Sequence, residues 1–148
     1  MANAFLLTYN PTLWDWVDRD EFLASVVRAS RNGDVVPGTW STGQRTRGIE
    51  PGDEVYLLRQ GPEPRGIIAS GTALTEVMQD DHWHERRGLA NYIEVAWTKA
   101  VPADAPLPLA DLDDAAPGQH WRPQGSGSSL RPEYVTVVES LWSAHVCV

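Results

Sequence analysis

The stretch Ile49-Glu50-Pro51-Gly52-Asp53-Glu54-Val55-Tyr56-Leu57-Leu58-Arg59, followed after Gly61-Pro62-Glu63-Pro64 by Arg65-Gly66-Ile67-Ile68-Ala69-Ser70-Gly71, decides the fold. Pro51 fixes one φ and Gly52 supplies the positive one, so Pro-Gly-Asp makes a tight turn that delivers the chain into 54–59. The run 54–59 predicts the central strand. The Gly/Pro turn at 61–64 returns the chain into a second strand, and its small residues Ala69, Ser70 and Gly71 suit close passage of another backbone. The two runs predict a β-hairpin or meander.

Upstream, Phe5 to Tyr9 reads as a buried first strand stopped by the turn pair Asn10-Pro11. A helix follows, capped by Asp18 or Asp20, with Phe22, Val26 and Ala29, or Leu23 and Val27, recurring at helical spacing until Asn32-Gly33. Residues 33–48, rich in Gly, Thr, Ser and Arg, read as loops around a short strand centred on Trp40. Downstream, 91–97 alternates as a strand, 102–118 reads as a Pro/Ala-rich loop, and 121–129 is a Gly/Ser-rich segment. Residues 132–145 predict a last helix with Tyr134, Val137, Val138, Leu141 and Trp142 inward. The expected class is α+β: a small mixed, mainly antiparallel β-barrel of five to six strands flanked by helices.

A chain of 148 residues has the size of one domain, 1–148, able to bury its own core. No apolar run approaches the roughly 20 residues of a membrane span, and the N-terminus has no basic region of a secretory signal, so a cytoplasmic protein without a membrane partner is expected. Cys147 is the sole cysteine, which excludes an internal disulfide framework and a cysteine-rich zinc site. No metal and no cofactor are expected. The formal net charge of -8 opposes nucleic-acid binding, which draws its non-specific affinity from neutralised phosphates. The charges are segregated, however: acids gather at 15–21, 80–85 and 104–114, while Arg28, Arg31, Arg45, Arg47, Arg59 and Arg65 share one stretch. A local basic face is compatible with that pattern.

The sequence has no P-loop, no GxGxxG after a strand, no HExxH and no GxSxG, so the common nucleotide-binding and hydrolase signatures are missing. Gln79-Asp80-Asp81-His82-Trp83-His84-Glu85 is the one cluster of acids and histidines, and as a solvated loop it advertises no second half of a metal or hydrolytic site. Seven tryptophans are more than a small domain needs for packing, and flat aromatic faces hold unstacked bases. Trp14 and Trp16 before the first helix, Trp97 in a strand and Trp142 in the last helix read as core. Trp40 and Trp121 lie in polar, Gly/Ser-rich surroundings and read as walls of a pocket, and Trp83 as a lid or a partly exposed ring.

Three segments together, Gly38-Thr-Trp-Ser-Thr-Gly43, the 49–71 hairpin, and Trp121-x-Pro-Gln-x-Ser-Gly127, resemble the EVE domain of the PUA superfamily. The likeness runs over nearly the whole chain and is nearest to the N-terminal domain of EVE-HNH modification-dependent restriction endonucleases. It implies a non-enzymatic reader that flips a modified cytosine, 5-methylcytosine or 5-hydroxymethylcytosine, out of double-stranded DNA into an aromatic pocket. The expected base-binding residues are Trp40, Ser41, Trp121, Gln124, Ser126 and Gly127. The two tryptophans stack, the hydroxyls and the amide offer donors and acceptors, and the glycines permit close backbone approach. Arg45 and Arg47 beside the Trp40 loop are expected to hold flanking phosphates. No HNH motif occurs, so the cutting domain of that family would be a fused or separate partner. Two alternatives stay open: an RNA-binding or N6-methyladenine-reading PUA-like module, and a small-molecule or nucleotide enzyme using the His82/His84 loop.

Overall fold

The computed structural model describes residues 3–80 and 90–147. Strand β1 (Ala4–Tyr9) is followed by helix α1 (Arg19–Arg31), β2 (Val36–Ser41), β3 (Glu54–Arg59), β4 (Gly66–Ala73), β5 (Met78–Asp80) and β6 (Ala90–Ala100). After these come β7 (Leu107–Pro108), α2 (Leu109–Ala115), β8 (Ser128–Ser129), a 3-10 turn (Pro132–Tyr134) and α3 (Val135–Val146). Among the described residues the eight strands form one sheet with the path β2-β6-β4-β3-β1-β8, with β5 pairing β6 and β7 pairing β4. Every pairing is antiparallel except β1 with β3, whose register runs from Ala4↔Glu54 to Tyr9↔Arg59.

The predicted central strand is central. Val55, Tyr56, Leu57 and Leu58 of β3 are all buried, so successive side chains find cover on both faces of the sheet. Close passage at the small residues of β4 is also found: a Cβ on Gly71 would stand 2.4 Å from the Ala96 carbonyl oxygen of β6. Leu23 and Val26 carry the buried face of α1, and Val138 and Trp142 that of α3. Trp142 donates its Nε1–H to Ser70 Oγ at 2.7 Å, a buried bond that fixes α3 against β4.

The strand count exceeds the expected five to six because β5, β7 and β8 are only two or three residues long, below the length at which a two-residue period shows. The 102–118 segment is not simply a loop either. It contains β7 and α2, and buries Leu107, Leu109, Leu112 and Ala116. The strand path stays open, since β2 and β8 share no ladder, but its ends approach one another. Gly43 packs on Ser126 and Gly127 on Thr42, and the Ser126 hydroxyl donates to the Ser41 carbonyl at 2.7 Å. Among the described residues no helix is long and apolar enough to cross a membrane.

Candidate nucleic-acid interface

Where β1 ends, Asn10 turns the chain by accepting three backbone N–H bonds. Its side-chain oxygen takes Thr12 N–H at 2.9 Å, and its carbonyl takes those of Leu13 and Trp14 at 3.0 and 3.1 Å. This fixed turn throws Trp14 and Trp16 back over β1 before α1 begins. Their rings stack on one another with centroids 5.3 Å apart and planes 13° apart. Trp40 of β2 meets Trp14 at 5.5 Å and Trp16 at 5.0 Å, and Tyr9 meets the same two rings edge-on at 5.9 and 5.2 Å. Trp40 meets Trp97 at 6.1 Å underneath. The aromatic rings thus rise from the core to the surface: Trp97 is 1% exposed, Trp40 9% and Trp14 49%. Beside the outermost ring lies a cleft of about 350 Å³ lined by Tyr9, Trp14, Asp15, Trp16, Arg19 and Asp20. Arg19 is held in it by Asp20 at 2.9 Å and by the Tyr9 hydroxyl at 3.3 Å; the bond to Asp20 is the main reason its pKa lies above the ordinary arginine value.

A second, open cleft of about 730 Å³ lies along 44–47 and 123–128. It gathers Arg45, Arg47, His120, Gln124, Ser126 and Gly127. Thr8 links the two: its N–H donates to Ser126 Oγ at 3.1 Å and its carbonyl accepts Trp40 Nε1–H at 3.0 Å. Five of the eight residues expected from the sequence therefore line one cleft, and Trp40 and Ser41 join them through Thr8 and Ser126.

Trp121 does not join them. It is 1% exposed, its Nε1–H donates to the Ala116 carbonyl at 3.2 Å, and no ring contact ties it to Trp40 among the described residues. Burial under α2 leaves it no open face for a base, so it is a core residue. Arg45 is also reassigned. Its Nε donates to the Gly127 carbonyl, Nη1 to the Arg47 carbonyl at 2.9 Å and Nη2 to Ser129 Oγ at 3.0 Å, while the guanidinium lies 4.9 Å from the Phe5 ring centroid. These contacts make it a brace between two loops rather than a free phosphate ligand. Arg47 and Gln124 are exposed, and among the described residues neither side chain makes a hydrogen bond. Ser41 Oγ accepts from Gly43 N–H at 3.0 Å.

Trp14, expected in the core, is half-exposed, and Tyr9 and Trp16, the latter also expected in the core, line the cleft beside it. The signal was the apolar set Leu13, Trp14 and Val17 in a Pro/Asp-rich segment with no helical or strand period. His82, Trp83, His84, Asp81 and Glu85 lie outside the described residues.

No family model matches the sequence, and no curated protein matches it. Solved structures do match. A hypothetical protein from Leishmania major aligns with TM-score 0.63 at 12% identity, over 97% of this chain and 97% of that one. Human THYN1, in complex with 5-methylcytosine-containing DNA, aligns with TM-score 0.60 at 15% identity over 95% and 97%. The MmI1 YTH domain aligns with TM-score 0.56 at 8% identity over 99% and 98%.

The fold is PUA-like. On this PUA-like frame the aromatic cluster occupies the loop after β1 and the facing end of β2, and the polar cleft occupies the seam where the strand path fails to close.

Proposed function

We propose that this chain reads a modified nucleobase in double-stranded DNA, drawing one modified cytosine, 5-methylcytosine or 5-hydroxymethylcytosine, into the aromatic cleft. The observation that carries this reading is the run of rings that ends at half-exposed Trp14, beside Trp16 and Trp40, on a fold shared with a protein solved on 5-methylcytosine DNA. Extruding a base from a duplex costs a few kcal/mol, which stacking and hydrogen bonds to the Watson-Crick edge offset. Trp14 and Trp16 supply the stacking, and Trp40, expected from the sequence to be a pocket wall, is buried behind them in the core. Asp15, Arg19 and Asp20 of the same cleft supply polar edges, and Arg47 of the neighbouring cleft contacts a flanking phosphate. The chain acts as a binding domain, and the EVE-like segments favour a specificity role in a modification-dependent restriction system, with cutting left to an HNH partner.

The test is a binding panel: duplexes with cytosine, 5-methylcytosine or 5-hydroxymethylcytosine at one site, a duplex with N6-methyladenine, and matched RNA. Preference for a modified-cytosine duplex is expected. Equal affinity across all members overturns the reading, and preference for RNA or N6-methyladenine reassigns the substrate.

A further inference from the structure

A separate cleft of about 600 Å³ lies at the other end of α1 from the aromatic rings. Its floor is Ala100 and Val101, where β6 ends, and its sides are the second half of α1 and the last turn of α3. The α3 side is braced: His145 Nε2–H donates to the Ala105 carbonyl at 2.8 Å, and the His145 ring stacks on Trp142, itself bonded to Ser70 of β4. The α1 side carries the charge. Ala24 and Arg28, and Val27 and Arg31, are neighbours four residues apart, so each arginine stands one helical turn beyond an apolar side chain. Both arginines are exposed, and among the described residues neither guanidinium makes a hydrogen bond or ion pair, whereas Arg19, Arg65, Arg122 and Arg131 are held by carboxylates. No carboxylate is among the described residues that line the cleft, in a chain with 20 acids against 12 bases. The local field is therefore positive, and screening over about 8 to 10 Å at ordinary ionic strength limits how far distant acids cancel it. Arginine in a last turn also suits the helix dipole, which accounts for its place along α1 but not for the apolar floor or the missing carboxylates.

We propose that this cleft is a second binding site, separate from base reading, for a small amphipathic anion: a carboxylate or phosphate carried on a short apolar body. The guanidinium forks take the anion's oxygens, and Ala24, Val27, Val101 and Val146 cover the apolar body. From Ala24 to Arg31 is seven residues of α1, about 10 Å of helix, which sets the reach of that body. The volume of about 600 Å³ is that of a small-molecule site. A nucleic-acid strand suits the cleft less well. Between it and the aromatic rings the α1 surface passes Arg19, Asp20 and Asp104. With Arg19 held by Asp20, a polyanion continuing along the helix meets net negative charge there, whereas a small anion meets only the two arginines.

The test titrates the full chain with octanoate and octyl phosphate, followed by ligand-observed NMR, with octanol as the apolar half alone and inorganic phosphate as the anionic half alone. Octanoate against octyl phosphate decides which head group the arginines prefer. R28A/R31A removes both forks, and R122A removes an exposed arginine elsewhere. Arg28 and Arg31 have no in-chain partner among the described residues, so R28A/R31A should melt close to the wild-type temperature. The expected result is binding of at least one of the two anions at about 1 mM or tighter, with octanol and inorganic phosphate weaker by roughly tenfold or more. R28A/R31A should lose roughly tenfold or more of that affinity, R122A none, and neither variant should change affinity for a modified-cytosine duplex. No binding of either anion up to about 10 mM overturns the site, as does binding that R28A/R31A leaves intact. Inorganic phosphate held as tightly as octyl phosphate also overturns it, by showing an anion patch that makes no use of the apolar floor. R28A/R31A protein that loses duplex affinity as steeply as octanoate affinity overturns it too, and returns both arginines to the nucleic-acid interface.

Discussion

Trp14 and Trp121 show how little a tryptophan's neighbours in sequence say about its exposure. Trp121 stands among Gly, Ser and Gln, yet it is enclosed and its Nε1–H is bonded to Ala116 O. Trp14, in a segment that starts a helix, is half open. Trp121→Ala should therefore lower stability by about 3 to 5 kcal/mol, as large-to-small changes in cores do, and leave base selectivity intact in the molecules that remain folded. Trp14→Ala should do the reverse: little change in unfolding, and a loss of roughly 1 to 3 kcal/mol of stacking that erases discrimination between modified and unmodified DNA. Thermal melts and binding isotherms on both variants check this, and a Trp14→Ala protein that still discriminates would move the pocket elsewhere. A Gly/Ser-rich segment reveals that the backbone turns, but not which of its side chains turns inward. That is why Trp121 reads as a pocket wall though it is enclosed, and Arg45 as a phosphate ligand though its acceptors lie 82 and 84 residues away at Gly127 and Ser129.

At the scale of elements, the sequence announced those whose apolar period outlasts their ends. The 54–59 run, the first helix and the last helix fall where the pattern puts them, whereas α2 is hidden because only Leu109 and Leu112 mark its buried side, between prolines. The close approach of the sheet's two ends is also illegible in the sequence, since it depends on Gly43 packing on Ser126 and Gly127 on Thr42 across the molecule. Gly127 has φ +92°, and a Cβ there would stand 2.5 Å from Thr42 O. Gly127→Ala should cost about 1 to 3 kcal/mol from backbone strain alone, read as a lower melting temperature together with weaker DNA binding, because the same seam shapes the polar cleft. On β3, burial raises the pKa of Glu54, reinforced by Glu139 and opposed by the Tyr56 hydroxyl bond and by Lys99. A carboxyl whose folded pKa is raised adds stability that is complete below its unfolded value and is lost as pH rises through the folded one. Glu54→Gln should accordingly raise the melting temperature at neutral pH and flatten its fall between the ordinary glutamate value and the raised one. An unchanged pH profile would mean the charge is well solvated.

For the whole molecule, the net charge of -8 has to coexist with the proposed binding of a polyanion, and this limits how affinity is built. Much of the positive charge is already engaged within the chain: Arg19 with Asp20, Arg65 with Glu63, Arg122 with Asp113, Arg131 with Glu133, and Arg45 with backbone carbonyls and Ser129. Around the polar cleft that leaves Arg47 as the exposed cation without an in-chain partner among the described residues. Each neutralised duplex phosphate contributes about -0.9 to the slope of log affinity against log salt, so one or two contacts predict a slope of about -1 to -2. Proteins that bind mainly through the backbone show far steeper slopes. Arg47→Ala should weaken modified and unmodified duplexes alike and reduce the slope by about one, because a phosphate contact holds position without reading the base. Discrimination between the two duplexes should stay constant across the titration, since stacking on aromatic rings, unlike phosphate neutralisation, releases no counterions. A salt series from about 50 to 200 mM on both duplexes measures the slope and the discrimination together. A slope of about -4 or steeper, or discrimination that collapses as salt rises, would show that a wider basic face, and not the aromatic cleft, carries recognition.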